Sequence, residues 1–301
     1  MIWKEYLNNI AEELTEHLIK DTQYSGIPKG QVRQIVWREM EVFVEDYKRW
    51  PPEKLIFMEN TALSRNDRFG LDNFLKARIQ GKPLAHIIGK QRFYGIDFQV
   101  NNKVLIPRPE TEELVSYALK CVSNNSILVD VGTGSGCILA AILNNLSKNI
   151  ELASIYAIDK SKSALRLAKN NIGTKFKINY LFISLFPAKL SKITNKKMVI
   201  VANLPYLSVK KYQQLSPEVK KYEPRNALVG GREGHELILK LINQVLKIRT
   251  NCEMLLEISP TIFPEIKKHL VAQDVKYRVK LDLSGKIRIL HIKLSSRNRK
   301  Y

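Results

Sequence analysis

The stretch Asn203-Leu204-Pro205-Tyr206 closes an apolar run, Val199-Ile200-Val201-Ala202, with an amide, a rigid imino acid and an aromatic ring. Residues of these kinds can hold a planar nitrogen. The side-chain oxygen of Asn203 and the main-chain carbonyl of Leu204 are two acceptors for the two N–H bonds of an amide or exocyclic amino group. They would align its lone pair and stabilise positive charge developing on it. Tyr206 can stack on the flat group, and Pro205 restricts Leu204 to extended backbone, fixing its carbonyl. The chemistry this suits is transfer of a methyl group to that nitrogen, which needs no general base beforehand. Read alone, the tetrad is also an ordinary strand-to-loop turn.

A second constellation is Ile127-Leu128-Val129-Asp130-Val131 running into Gly132-Thr133-Gly134-Ser135-Gly136. Alternate glycines after an apolar strand permit positive φ and close approach of backbone to a nucleoside or amino-acid moiety. No Gly-Lys-Ser/Thr follows, which argues against a nucleotide-hydrolysing loop, and Cys137 stands where a dinucleotide fingerprint would need glycine. Asp159 ends a second apolar strand, Ile155 to Ile158, where a carboxylate can accept both ribose hydroxyls. Alone, Asp159 reads equally as a helix N-cap, since Ser161 and a helical run follow.

These residues need a frame. Helical and strand patterns alternate after Pro109: a helix from Thr111 to Cys121, strands at Ser126–Val131 and Ser154–Ile158, a helix from Ser161 to Asn171, and strands near Tyr180–Ile183, Met198–Ala202 and Met254–Ile258. This predicts an α/β fold with a doubly wound, mostly parallel Rossmann-like sheet. Upstream, Tyr6, Ile10, Leu14 and Leu18, then Val32, Ile35, Val36, Met40 and Val44, recur at helical spacing, with breakers at Gly26–Gly30 and Pro51-Pro52. That predicts an N-terminal helical bundle over 1–80. Aromatics alternating around Gly95 predict a β-hairpin linker within 81–108, leaving 109–301 as the catalytic domain.

The acid-preceded Gly-x-Gly-x-Gly loop resembles the first motif of class I methyltransferases, and Asn203 to Tyr206 resembles the Asn-Pro-Pro-Tyr motif of amino-group methyltransferases, with Leu204 in place of the first proline. Phe93-Tyr94-Gly95, Val104 to Val115 including Pro107-Arg108-Pro109-Glu110-Thr111-Glu112, Tyr222 to Leu228 with Gly230, Gly231 and Gly234, Leu255-Leu256-Glu257-Ile258, and Asp282 to Arg288 are together similar to the peptide chain release factor glutamine methyltransferases. The resemblance spans Gly81 to the end of the sequence. It implies S-adenosylmethionine as cofactor, held by Gly132, Thr133, Gly134, Ser135, Gly136, Asp159, Leu185 and Asn203. It implies Asn203, Leu204, Pro205 and Tyr206 as the catalytic set. The substrate it implies is the glutamine of the Gly-Gly-Gln motif in class I release factors, the helical domain helping to hold the factor. Ser184 stands where the family's third motif has an acid, with the aliphatic Leu185 after it. Arg108, Glu110 and Glu112 are open between a pocket role and a salt-bridged structural one. A ribosomal-protein glutamine methyltransferase, an adenine methyltransferase on nucleic acid and a non-catalytic RNA-binding relic remain as alternatives.

Composition sets the outer bounds. The 301 residues are 45% hydrophobic and 26% charged, as in ordinary globular proteins. No apolar run nears the roughly 20 residues a bilayer span requires, and the N-terminus has no secretory or transit pattern, so a cytoplasmic protein, expected to be a monomer, is predicted. Cys121, Cys137 and Cys252 form no paired motif, and the five histidines lack ligand spacing, which leaves no metal site expected. The net charge of +20 suits a polyanion or acidic protein surface, so direct nucleic-acid binding is open, although lysines spread along the whole chain are equally a solvated surface. The basic end Arg297–Lys300 reads as a frayed terminus.

Overall fold

The structure, a computed structural model, describes residues 1–21, 24–187, 190, 196–247, 251–282 and 284–295. The basic 297–300 end and Leu283 lie outside them. In chain order the helices α1 (Trp3–Leu18), α2 (Lys29–Lys48), α3 (Lys54–Met58), α4 (Arg65–Ile79) and α5 (Leu84–Ile88) precede a hairpin of β1 (Lys90–Phe93) and β2 (Ile96–Gln99). A short 3-10 turn, Pro109–Thr111, leads into α6 (Glu112–Cys121). Then follow β3 (Ile127–Val131), α7 (Cys137–Asn145), β4 (Ser154–Asp159), α8 (Lys162–Ile172), β5 (Asn179–Phe182) and β6 (Met198–Ala202). The remainder comprises β7 (Leu207–Ser208), α9 (Val209–Gln213), α10 (Pro217–Tyr222), β8 (Val229–Gly231), α11 (Glu236–Leu246), β9 (Cys252–Glu257), α12 (Phe263–Ala272), β10 (Tyr277–Leu281) and β11 (Ile287–Leu294).

Contacts group these elements into two compact units, Met1–Lys90 with Leu215–Tyr222, and Gln91–Gln214 with Glu223–Tyr301, where the sequence reading drew its boundaries after 80 and 108. In the first unit, α1 buries Trp3, Tyr6, Leu7, Ile10, Leu14 and Leu18, a stripe at i, i+3 and i+4 spacing that meets Val32, Val36, Met40 and Val44 of α2. Ile35, placed on that stripe from the sequence, is 37% exposed. One residue from Val36 it lies about 100° around the helix, on the solvent side. Arg78 is buried and pairs with Glu39 at 2.8 Å and with Glu218 of α10 at 3.0 Å. That ion triad belongs to one core with the α2 and α4 helices that carry it.

The second unit is built on a seven-stranded sheet of order β10-β11-β9-β6-β3-β4-β5. Strands β3 through β6 and β9 run parallel, and β11 is antiparallel to both β9 and β10. Side chains alternate across it. Met198, Ile200 and Ala202 of β6 join Ile238, Leu241 and Ile266 on one face. Val199 and Val201 join Leu114, Leu139 and Ala141 on the other. A sheet covered by helices on both faces explains why β3, β6 and β9 are buried throughout. The β1–β2 hairpin turns at Tyr94 (φ 50°) and Gly95 (φ 78°), both left-handed as a two-residue hairpin turn requires, and Glu112 accepts the Tyr94 N–H at 2.7 Å. Glu112 is thereby a strut for the hairpin.

Candidate active site

From β3 the chain crosses to β4 and β5 on one side, while β6 lies on its other flank. In such sheets ligands bind outside the carboxyl ends of the strands at this point of reversal. The residues singled out from the sequence gather here. Gly132 N–H and Thr133 N–H donate to the Ile158 carbonyl at 2.8 and 3.0 Å, tying the glycine loop to β4. Asp159 accepts the Gly134 N–H at 3.0 Å on one oxygen and the Ser161 N–H at 2.8 Å on the other. Burial raises the Asp159 carboxyl, and the hydrogen bonds from Gly134 and Ser161 pull it back.

Two glycines are dictated by space. Gly132 (φ +75°) would carry a Cβ 2.8 Å from Leu204 Cδ2, so loop and strand tip touch. Gly136 (φ +80°) would carry one 3.0 Å from Ala168 Cβ and 3.2 Å from Ile172 Cδ1. It packs the start of α7 against α8 and is absent from the cleft lining.

Below the loop, Asp130 is fully buried and takes the Thr133 hydroxyl at 2.7 Å on one oxygen. Burial pushes its carboxyl up to about 7.

The cleft encloses about 960 Å³, part of it open to solvent. Gly132, Thr133, Gly134, Ser135, Asp159, Ser184, Leu185, Asn203, Leu204 and Pro205 line it, together with Lys103, Arg108, Thr111 and Asn226. Tyr206 stands just outside the lining, packed on the core, with its phenol pushed up to about 12 by burial and by Glu257 nearby. Leu185 holds φ 64°, a left-handed backbone that costs a leucine about 1–2 kcal/mol. The segment is held by the Phe186 N–H on Gln244 Oε1 at 3.0 Å. Arg108 pairs with buried Glu223, whose second oxygen accepts the Ile106 N–H at 3.4 Å. Arg108 is therefore both a cleft residue and one end of an ion pair.

Asn203 is anchored by residues that the sequence reading left unassigned. Its Nδ2 donates to Thr111 Oγ1 at 3.0 Å, and Thr111 Oγ1 donates to Glu257 Oε2 at 2.7 Å. A carboxylate in the otherwise apolar run Met254 to Ile258 was the one visible sign. Glu253, at the other end of the strand on the same face, belongs to a separate cluster. There Cys121, Glu253 and His291 bring possible ligand atoms within 4.8 Å of one another. Lys197 pairs with Glu253 at 2.9 Å, and burial pushes the Cys121 thiol up to about 11, which makes this an ion-pair network.

The donor set fits a nucleoside sulfonium: a glycine loop for close backbone approach, and a carboxylate for ribose hydroxyls, both lining one cleft. Sheet order, with antiparallel β11 between β9 and β10, and the loop and acid at the reversal point together define a class I methyltransferase. Residues 111–222 match the model of the ribosomal protein L11 methyltransferase (PrmA) family. A release factor glutamine methyltransferase of Rhodopirellula baltica is 34% identical over 74% of this chain and 77% of its own. Another, from Fusobacterium nucleatum, is 39% identical over 81% of this chain and 67% of its own. Among solved structures, a ribosomal protein L11 methylase from Lactobacillus delbrueckii subsp. bulgaricus is similar with a TM-score of 0.42 and 20% identity, covering 62% of this chain and 80% of that one. The chain belongs to the release factor glutamine methyltransferase family. No helix among the described residues is long and apolar enough to cross a membrane.

Proposed function

We propose that this protein transfers the methyl group of S-adenosylmethionine to the side-chain amide nitrogen (N5) of the glutamine in the Gly-Gly-Gln motif of class I peptide chain release factors. The observation that carries the proposal is that Asn203, Leu204 and Pro205 line the same cleft as the glycine loop and Asp159. Donor and acceptor would then meet in one cavity. When bound, S-adenosylmethionine supplies an electrophilic methyl on a sulfonium.

Asp159 would hold the ribose hydroxyls, Gly132 to Ser135 the amino-acid moiety, and Ser184 with Leu185 the adenine. Asn203 Oδ1 and the Leu204 carbonyl accept the two N–H bonds of the glutamine amide, holding its nitrogen in line with the methyl. Tyr206, just outside the lining, backs the 203–205 segment from the core side with a neutral phenol. As the N–C bond forms and the S–C bond breaks, the nitrogen loses one proton to water. The helical unit, Met1–Lys90, holds the body of the factor, and the protein works in the cytoplasm.

The test is transfer of labelled methyl to a purified release factor by wild type and Asn203→Ala, with a second factor whose motif glutamine is replaced. Label that requires both the glutamine and Asn203 supports the assignment. Label on ribosomal protein or nucleic acid instead would keep the methyltransferase and discard the substrate.

A further inference from the structure

We propose that Thr111 and Glu257 are positioning residues that decide which end of the Asn203 amide faces the reacting nitrogen. The inference rests on the reading that Asn203 accepts a hydrogen bond from the substrate amide.

The argument is a count of protons. Thr111 Oγ1 donates its single proton to Glu257 Oε2 at 2.7 Å, in a buried contact. A carboxylate is an acceptor only, so that proton is committed and the hydroxyl has only lone pairs left to offer. Asn203 approaches the same oxygen at 3.0 Å through Nδ2. An amide turned the other way would set Oδ1 against those lone pairs, acceptor on acceptor. The correct rotamer is thus enforced from behind, and Oδ1 is left toward the cleft. An asparagine held only by its own torsion has no such bias, since its two ends are nearly isosteric.

Two features show that this hydroxyl is not engaged elsewhere. Thr111 occupies the N-cap of α6, where a threonine ordinarily caps, yet its side chain makes no capping bond. Strand register also builds the pairing in: Ala202 of β6 is level with Leu256 of β9, so Asn203 and Glu257 are the next residues on adjacent parallel strands.

Glu257 faces Arg288 of β11, which favours its charge, and Glu110 of the 3-10 turn and Glu113 of α6, which oppose it; the Tyr206 phenol is also close. Burial dominates and pushes the carboxyl up to about 6. Above that pH Glu257 is ionised and the relay is set. Below it, a protonated Glu257 can donate to Thr111, the hydroxyl proton is released toward Asn203, and the amide is free to turn over. Turnover therefore falls as pH drops through about 6.

The experiment compares wild type, Thr111→Ser, Thr111→Val and Asn203→Ala for methyl transfer to the release factor between about pH 5 and about pH 8. It adds the affinity for S-adenosylmethionine by calorimetry and the NMR signals of the Asn203 side-chain amide. Expected are a kcat about tenfold lower in Thr111→Val, cofactor affinity unchanged, loss of the acid limb in that variant, and recovery to within about twofold in Thr111→Ser. In wild type one Asn203 amide proton is shifted and protected from exchange, and in Thr111→Val it is not. Full activity in Thr111→Val, an acid limb that persists there, or equal damage in Thr111→Ser would overturn the proposal. If wild type itself transfers no methyl to the factor, the substrate reading fails, and the amide signal still decides the relay: an unprotected Asn203 amide in wild type rejects it, while protection that depends on Thr111 upholds it.

Discussion

Gly132 and Leu204 are in contact across the mouth of the sheet, so close that a single methyl on Gly132 would lie 2.8 Å from Leu204 Cδ2. The loop at the end of β3 and the tip of β6 therefore share one surface. Leu204 stands where the family motif has proline, and its side chain fills space that glycine leaves free.

A substitution at Gly132 should be felt on both sides of that contact. Gly132→Ala adds the close contact and forces a non-glycine residue to φ +75°, and each effect costs on the order of 1 kcal/mol or more. The expected result is at least about tenfold weaker binding of S-adenosylmethionine by calorimetry. Adding Leu204→Ala relieves the contact but not the backbone strain, so the double variant should recover only part of the affinity. Full recovery would mean the left-handed φ is immaterial.

Asp159 both closes the loop through Gly134 and, on the proposed reading, meets the ribose. Asp159→Asn keeps one acceptor oxygen but loses the charge. It should lower cofactor affinity by about ten- to a hundredfold, about 1.5–3 kcal/mol for hydrogen bonds to a charged group, with little change in melting temperature. An unchanged dissociation constant would remove Asp159 from the binding site.

Asp130 gives a stability test with a definite sign. Its carboxyl is raised from 3.8 to about 7, so the fold favours the neutral form. The stability this contributes is complete below about pH 4 and is lost as pH rises to about 7. Asp130→Asn, which cannot ionise, should match wild type at about pH 4 and exceed it by roughly 4 kcal/mol at pH above about 7. Denaturant unfolding at the two pH values measures it, and a difference that grows toward acid would contradict the assignment.

The helical unit has its own vulnerable point. Arg78 is 1% exposed and answers two carboxylates, Glu39 and Glu218. Burial raises the Glu39 carboxyl, and the guanidinium pulls it down. Arg78→Met takes the guanidinium away from both acids and should cost about 3–5 kcal/mol. Arg78→Met with Glu39→Gln and Glu218→Gln should regain much of that loss, as followed by thermal unfolding.

Much of this architecture is legible in the residue order, for reasons that differ between elements. Strands β3, β6 and β9 announce themselves as short β-rich apolar runs because both their faces are covered. The glycine loop and Asp159 are legible because loop chemistry is local. Pairings between distant segments are not. Nothing near Pro217–Tyr222 signals that α10 would supply Glu218 to Arg78, 140 residues earlier. Thr111 reads as the first residue of a helix, and only its contact with Glu257, 146 residues on, reveals its partner. Gly230 enters the sequence reading only through the family resemblance, and its reason is spatial: a Cβ there would lie 2.2 Å from the Pro205 carbonyl oxygen.

The position of β11 bears on how such a chain comes into being. Residues Ile287–Leu294 are threaded between β9 and β10, both of which precede them in the chain. During synthesis β9 therefore emerges with one edge bare, and β10 has no neighbour at all until β11 arrives. The cleft is framed by strands made early, but the floor that holds β9, and with it Glu257, is locked only once β11 has emerged. A polypeptide cut short after β10 would hold every residue proposed to bind cofactor and still lack the wedge that makes them a stable surface.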